Sequence, residues 1–234
     1  MREYEDFYKN LIISDVDRPR AERYLKAKGI KKHLLVKEYL QPWSKTEDVK
    51  YTQIASTYRY DKRIRMVLYK YISYLEEWYR SIILDNFTIE TIYEINPTKE
   101  FQNKISQKND LNDALEAIEF STLLANIRHY DQFDKKLISF QRKHIGRNFS
   151  ALRELRNSVM HNKLLVLYRG FEECYVNNKE AASSTISANI LNLISFLPKE
   201  VGEKCKKEIN NCSKNKNTND DTKWDIPRFI IIRL

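Results

Sequence analysis

The sequence predicts an all-α protein, a helical bundle with extra N- and C-terminal segments, and three observations carry that prediction. Only 4 Gly and 5 Pro in 234 residues leave few turn formers for a sandwich of short strands, whereas 31% charged residues suit long solvated helices. Between Asp61 and Asn86, the residues Ile64, Val67, Leu68, Tyr71, Ile72, Leu75, Trp78, Tyr79, Ile82 and Ile83 recur at steps of three and one with hardly a break. That stripe is broad, as a central bundle helix requires, with Arg63, Lys70 and Glu77 left for the other side. Helix-boundary residues also recur along the chain, from Asp17-Arg18-Pro19 to Pro198.

Taken in order, the residues through Val16 mix aromatics and acids and either dock or fray. Asp17-Arg18-Pro19 opens a helix, with an acid near the cap and a proline suited to the first turn, and Gly29 closes it. Lys31 to Leu40 fits strand or helix around Leu34-Leu35-Val36, until Pro42-Trp43-Ser44 breaks it. Thr46-Glu47-Asp48 suggests a helix start near Val49, ahead of the long helix at Asp61. Thr88 to Asn109 is less regular, with a break at Asn96-Pro97. From Asp110, the residues Leu111, Ala114, Leu115, Ile118, Leu123, Leu124 and Ile127 mark one helix, and Gln132 to His144 marks a shorter one stopped by Gly146. Asn148 or Ser150 then caps a helix whose buried stripe is Phe149, Leu152, Leu155 and Val159.

Leu164-Leu165-Val166-Leu167 is apolar at consecutive positions and is expected to be buried on several sides. Asn177-Asn178 reads as a turn, and Ser183 or Ser184 caps a helix ended by Pro198. Lys199 to Asn211 is a lysine-rich surface helix. Residues 1–212 therefore form one helical domain. Residues 213–234 are a polar linker and a hydrophobic extended tail from Trp224, packed down or paired.

Composition narrows the functional classes. There is no apolar run of about 18 residues, so no membrane span is expected. The start, Met1-Arg2-Glu3-Tyr4-Glu5-Asp6, lacks the apolar stretch of a secretory signal. Cys174, Cys205 and Cys212 are odd in number and not closely spaced, so reduced cytoplasmic thiols are expected and a metal centre is not. The chain has no Gly-rich phosphate loop, no H-E-x-x-H and no clustered acidic set, which argues against a nucleotide triphosphatase and a two-metal nuclease. No cofactor is expected. A net charge of +9 favours polyanions, without by itself separating RNA from DNA or acidic lipid.

The chemistry concentrates in Leu152-Arg153-Glu154-Leu155-Arg156-Asn157-Ser158-Val159-Met160-His161. On a regular helix, at about 100° per residue, Arg156 and His161 stand roughly 140° apart. Either the helix ends or bends near His161, or the long arginine reaches around, or two copies share a site. The Arg-Asn-x-x-x-His pattern resembles the R-x4-6-H motif of HEPN domains, many of which are ribonucleases.

A second stretch, Tyr58-Arg59-Tyr60-Asp61-Lys62-Arg63-Ile64-Arg65 followed by Leu75-Glu76-Glu77-Trp78-Tyr79-Arg80, looks like the corresponding helix of the Abi (abortive infection, AbiD/AbiF-like) proteins. There an aromatic-Asp-x-x-hydrophobic-Arg start leads to a Glu and, four residues on, an Arg, matched by Glu76 and Arg80. The resemblance covers roughly Ala21 to Leu167. It implies an HEPN-like bundle, a homodimer, and metal-independent RNA cleavage leaving a cyclic phosphate and a 5′-OH. It also implies a role in phage defence, with a toxic activity held in check by an antitoxin-like partner, protein or RNA. The Tyr that one HEPN toxin class carries two residues after the His is replaced by Lys163, so control by modification of that Tyr is not expected.

Within that resemblance Arg156 and His161 are the catalytic pair, and Asn157 orients His161 across one turn. A His suits proton transfer near neutral pH, and an Arg holds phosphate oxygens with a permanent fork of donors. One of each per chain does not supply both acid and base, whereas a dimer supplies two of each. Glu76, with Arg80, is a candidate for positioning Arg156. Arg59, Arg63 and Arg65, near Tyr58 and Tyr60, are candidates for tracking RNA and stacking on bases, and Arg153 joins them from the motif helix. Plainer roles compete at each position. His161 suits a helix C-terminus, where cations are favoured, Arg156 suits a carboxylate partner, and Glu76 and Arg80 suit a helical ion pair. His33, His129 and His144 lack comparable spacing, so surface or helix-end roles are expected for them.

Overall fold

The computed structural model describes residues 2–44, 46, 48–92, 99–108, 110–129, 144–176, 182–214 and 224–234. Among them the chain is all-α in class. In order it forms α1 (Arg2–Tyr8), β1 (Leu11–Ile12), α2 (Arg18–Lys28), α3 (Ile30–Leu40), β2 (Val49–Lys50) and α4 (Tyr51–Asn86). There follow α5 (Lys99–Ile105), α6 (Leu111–Ala117), α7 (Phe120–His129), α8 (Ile145–Met160), β3 (Arg169–Cys174), β4 (Ser183–Thr185), α9 (Ile186–Phe196) and α10 (Lys199–Asn211). The short strands pair as β1 with β2, parallel, and β3 with β4, antiparallel. Among the described residues no helix is long and apolar enough to cross a membrane. The chain divides into two compact units.

The first unit comprises Met1–Met66, Asn162–Tyr168 and Lys207–Leu234. The ambiguous segment at Lys31–Leu40 is helix α3, and its buried residues Ile30, His33, Val36, Lys37 and Leu40 fall at helical spacing. Two of those five are polar, which hid the stripe. Lys37 is buried because its ammonium donates to the carbonyls of Asp6 (2.8 Å), Phe7 (3.0 Å) and Lys9 at the end of α1, where helical carbonyls lack partners. His33, expected at a surface or helix end, is instead 1% exposed and stacks on Tyr58 at 4.5 Å, with Nδ1 3.0 Å from the Gly29 carbonyl oxygen.

Burial lowers the pKa of His33, against the smaller opposing pull of the Gly29 carbonyl. The unfolded chain therefore binds more protons than the native one as pH falls through the ordinary histidine value of about 6.5, and stability rises with pH across that window. Denaturant midpoints are expected to fall for the wild type between about pH 7 and 5, and to fall less for His33→Phe, which keeps the stack without the proton site.

α4 begins ten residues earlier than its apolar stripe predicts, at Tyr51, directly after β2. The extra turns are held by the C-terminal tail, which is packed down as expected. Ser56 Oγ accepts the Asp225 N–H (3.0 Å), Thr52 donates to the Asp225 carboxylate (3.1 Å), and the Ile232 N–H donates to the Tyr60 hydroxyl (2.8 Å). Asp61 is fully buried in the same stretch. Its carboxylate accepts the backbone N–H groups of Leu165 and Val166 and the Arg65 Nε at 2.8 Å, while Arg65 Nη1 donates to Asn162 Oδ1 at 2.9 Å. Of the apolar run, Leu164 and Leu165 are buried and Val166 and Leu167 half-buried.

The second unit comprises Val67–His161 and Arg169–Lys206. The single helix expected from Asp110 to Ile127 is two, because Ile118 turns extended (φ −86°, ψ 145°) between α6 and α7. α8 starts at Ile145 with His144 at its cap, so neither Asn148 nor Ser150 caps it. Asn148 instead joins three elements. Its side chain accepts the Tyr175 N–H (2.8 Å) and donates to the Tyr175 carbonyl (3.0 Å), and its own carbonyl accepts from Asn192 on α9 (2.8 Å). Glu154 ties α8 to β3 by accepting the N–H groups of Phe171 (3.0 Å) and Glu172 (2.9 Å). The cap of α9 is Thr185, with Ser183 and Ser184 in β4. The expected features at Asn96-Pro97, 132–143, Asn177-Asn178 and 215–222 lie outside the described residues.

Candidate functional site

The buried stripe of α8 (Phe149, Leu152, Leu155, Val159) is the predicted one, and it leaves Arg153 exposed with Arg156 and Asn157 half-buried. The helix stops at Met160. His161 takes the C-cap position (φ −85°, ψ 10°), its N–H donating to the Asn157 carbonyl at 2.9 Å, and Asn162 follows in the left-handed region at φ 54°. Of the ways around the roughly 140° separation, the helix end at His161 is the one observed. The imidazole is exposed, and among the described residues no hydrogen bond to its ring is found.

Arg156 is held from the side. Its Nε donates to Glu76 Oε1 at 3.1 Å, and its guanidinium carbon lies 5.9 Å from the centre of the Phe120 ring. A charge-assisted bond on Nε fixes the plane of the guanidinium while the outer nitrogens keep donors to spare. Arg156 remains 31% exposed and Glu76 18%, so the pair is accessible. Glu76 therefore stands where a residue positioning Arg156 must stand. Arg80, its expected ion-pair partner, donates to the Ile118 carbonyl (3.4 Å) at the bend between α6 and α7. Burial lowers the Arg80 pKa, Glu76 and Glu116 raise it, and Arg156 lowers it again, so the two arginines share the field of Glu76.

Several expectations are revised. The Asn157 side chain faces Arg156 (Nη1 to Oδ1, 3.5 Å), and its link to His161 runs through the backbone alone. The basic-aromatic surface expected at Tyr58–Arg65 is not formed: Tyr58 and Tyr60 are buried, and Arg65 is 8% exposed and committed to Asp61 and Asn162. Arg59 and Arg63 lie over the Trp224 ring, at 5.4 and 4.4 Å, and Arg63 also donates to the Lys214 carbonyl (2.8 Å). Arg65 is thus committed within the first unit, while Arg59 and Arg63 remain half-buried beside Trp224.

Arg153 is different, being exposed and lining a small cavity with Arg128 of α7. Arg128 was missed by sequence reasoning because one basic residue on an amphipathic helix carries no signal, and Phe120 was missed because its role is visible only beside Arg156. His144, as expected, sits at a helix end, stacked on Tyr175 at 3.7 Å. The three cysteines are buried and none is in a disulfide, and burial pushes the Cys174 thiol up to about 11. Among the described residues no cluster of His, Cys, Asp and Glu could hold a metal ion. Comparison with family models, with curated proteins and with solved structures returns no match to this chain.

Proposed function

We propose that the protein is a metal-independent endoribonuclease of HEPN type, of the Abi kind, acting in the cytoplasm in phage defence or as the toxin of a toxin–antitoxin pair. The observation that carries this reading is Arg156 clamped by Glu76 one and a half turns before an exposed His161 at the end of the same helix. In the reaction the 2′-oxygen attacks phosphorus, the 5′-oxygen leaves, and the products are a 2′,3′-cyclic phosphate and a 5′-OH. His161 takes the 2′-OH proton, Arg156 holds the charge that gathers on the phosphoryl oxygens, and the second chain of a homodimer returns a proton to the leaving oxygen through its own histidine. A controlling partner, protein or RNA, restrains the activity.

The second reading is a non-catalytic RNA-binding or dimerisation module. It is favoured by the same two contacts, since a histidine at a helix C-cap and an arginine on a glutamate also serve stability alone. Total RNA incubated with the wild type, Arg156→Ala and His161→Ala, each with and without EDTA, separates the two. Cleavage that ignores EDTA and needs both side chains supports the enzyme. Binding without cleavage in all three supports the module. Light scattering on the purified protein is expected to give the mass of two chains, and a strict monomer that cleaves would rule out the shared-proton scheme.

A further inference from the structure

We infer that the cavity between α7 and the first half of α8 is a binding subsite for a backbone phosphate of the RNA strand, with Arg128 and Arg153 as its charged ligands. The proposal rests on the RNA reading above and gives that reading a place where the strand is held. The cavity has a volume of about 180 Å³. That is small for a nucleoside and suited to a single tetrahedral anion. Both walls follow from helical spacing. Ser121 and Arg128 stand seven residues apart on one face of α7, and Gly146, Ser150 and Arg153 share one face of α8 at steps of four and three.

Two arginines therefore line one small space whose remaining polar lining, among the described residues, is two serines, with no carboxylate. Among the described residues neither Arg128 nor Arg153 has a salt bridge or hydrogen-bond partner. Like charges gathered without a counter-charge favour an anion between them, and forked arginine donors beside serine hydroxyls match phosphate oxygens. A Cβ built on Gly146 would stand 3.4 Å from Arg128 Nη1, in ordinary contact, so the tip of Arg128 lies against this end of α8.

The anion belongs to a polymer rather than to free phosphate because of what else α8 carries. Arg156 and Asn157 lie one turn beyond Arg153, and His161 ends the helix, so a strand anchored at Arg153 passes the reactive pair along the same helix. Glu154, next to Arg153, holds the Phe171 N–H, and the Phe171 ring is 95% exposed, as a base-stacking side chain would be.

The test is binding of a fluorescein-labelled single-stranded RNA to the full chain carrying His161→Ala, which keeps the strand intact, over a series of salt concentrations. Adding Arg128→Gln with Arg153→Gln is expected to weaken binding about tenfold and to flatten the slope of log K against log salt by about 0.7, one phosphate contact. Lys204→Gln with Lys207→Gln, which removes the same charge from α10, is expected to change affinity less than threefold, about the limit for exposed charges outside the contact.

If the arginine pair and the lysine pair lose affinity equally, or the arginine pair loses none, the subsite is overturned. Arginine-dependent binding of inorganic phosphate with no binding of RNA overturns the assignment to a strand. Wild type that binds RNA through these arginines but never cleaves it leaves the subsite standing and removes only the enzyme. Wild type that cleaves RNA with the arginine pair dispensable does the reverse.

Discussion

Asp61→Ala is expected to destabilise the protein by about 3–5 kcal/mol, the usual cost of breaking a buried ion pair by deleting one partner. The carboxylate is fully buried and satisfies three donors at once: the Arg65 guanidinium and the amides of Leu165 and Val166. Its removal strands a cation that is only 8% exposed, together with two backbone N–H groups. Burial raises the Asp61 pKa, while Arg65 and the two amides pull it back. The pair is thus stable only as a pair. Arg65→Met in the Asp61→Ala background is accordingly expected to restore part of the loss, with a coupling of about 0.5–3 kcal/mol. Urea denaturation of the wild type, both single variants and the double variant at neutral pH reads this directly. A single-variant loss below about 1 kcal/mol would put the network on a level with an exposed ion pair and contradict the assignment.

The largest effects on activity are expected at the two ends of the motif. His161→Ala should slow RNA cleavage about a hundredfold to ten-thousandfold, the range for losing a positioned acid or base. Arg156→Ala should cost about a hundredfold to a thousandfold, as for the loss of one preorganised oxyanion donor. Neither deletion should move the thermal midpoint much, since the imidazole is exposed and Arg156 is one-third exposed. Glu76 supplies the discriminating case, because it touches Arg156 and not the substrate. Glu76→Gln keeps a hydrogen-bond acceptor for the Arg156 Nε and should lose less than Glu76→Ala, for which about a tenfold to hundredfold fall in kcat matches the loss of one charged hydrogen bond. Arg156→Lys should not rescue, because an ammonium cannot be gripped at Nε and still present a fork. Equal rates in all these variants would leave RNA cleavage without a chemical basis in this helix.

The helices were legible where their apolar spacing was uninterrupted, as in α4 beyond Asp61 and in α8. They were obscured where polar residues occupy buried positions for tertiary reasons. Lys37 and His33 disguise α3 because their partners, the α1 carbonyls and Tyr58, are remote in sequence. The first turns of α4 bury Ser56 and Thr57, and Ser56 answers to Asp225, far along the chain. The bend at Ile118 falls within an unbroken apolar pattern, so periodicity could not reveal it. At the candidate site, Glu76 and Arg156 could be paired from the sequence only because both carried a resemblance. The engagement of the arginines of Tyr58–Arg65 was not legible because composition cannot distinguish an open guanidinium from one already lying over Trp224 or bonded to Asp61.

Lys37 has a chemical corollary. Its ammonium donates to three main-chain oxygens and is buried, so it is shielded from acylating reagents as long as α1 stays docked. The accessibility of that one amine thus reports whether the opening helix is seated, as a built-in marker of whether the N-terminal turn has detached.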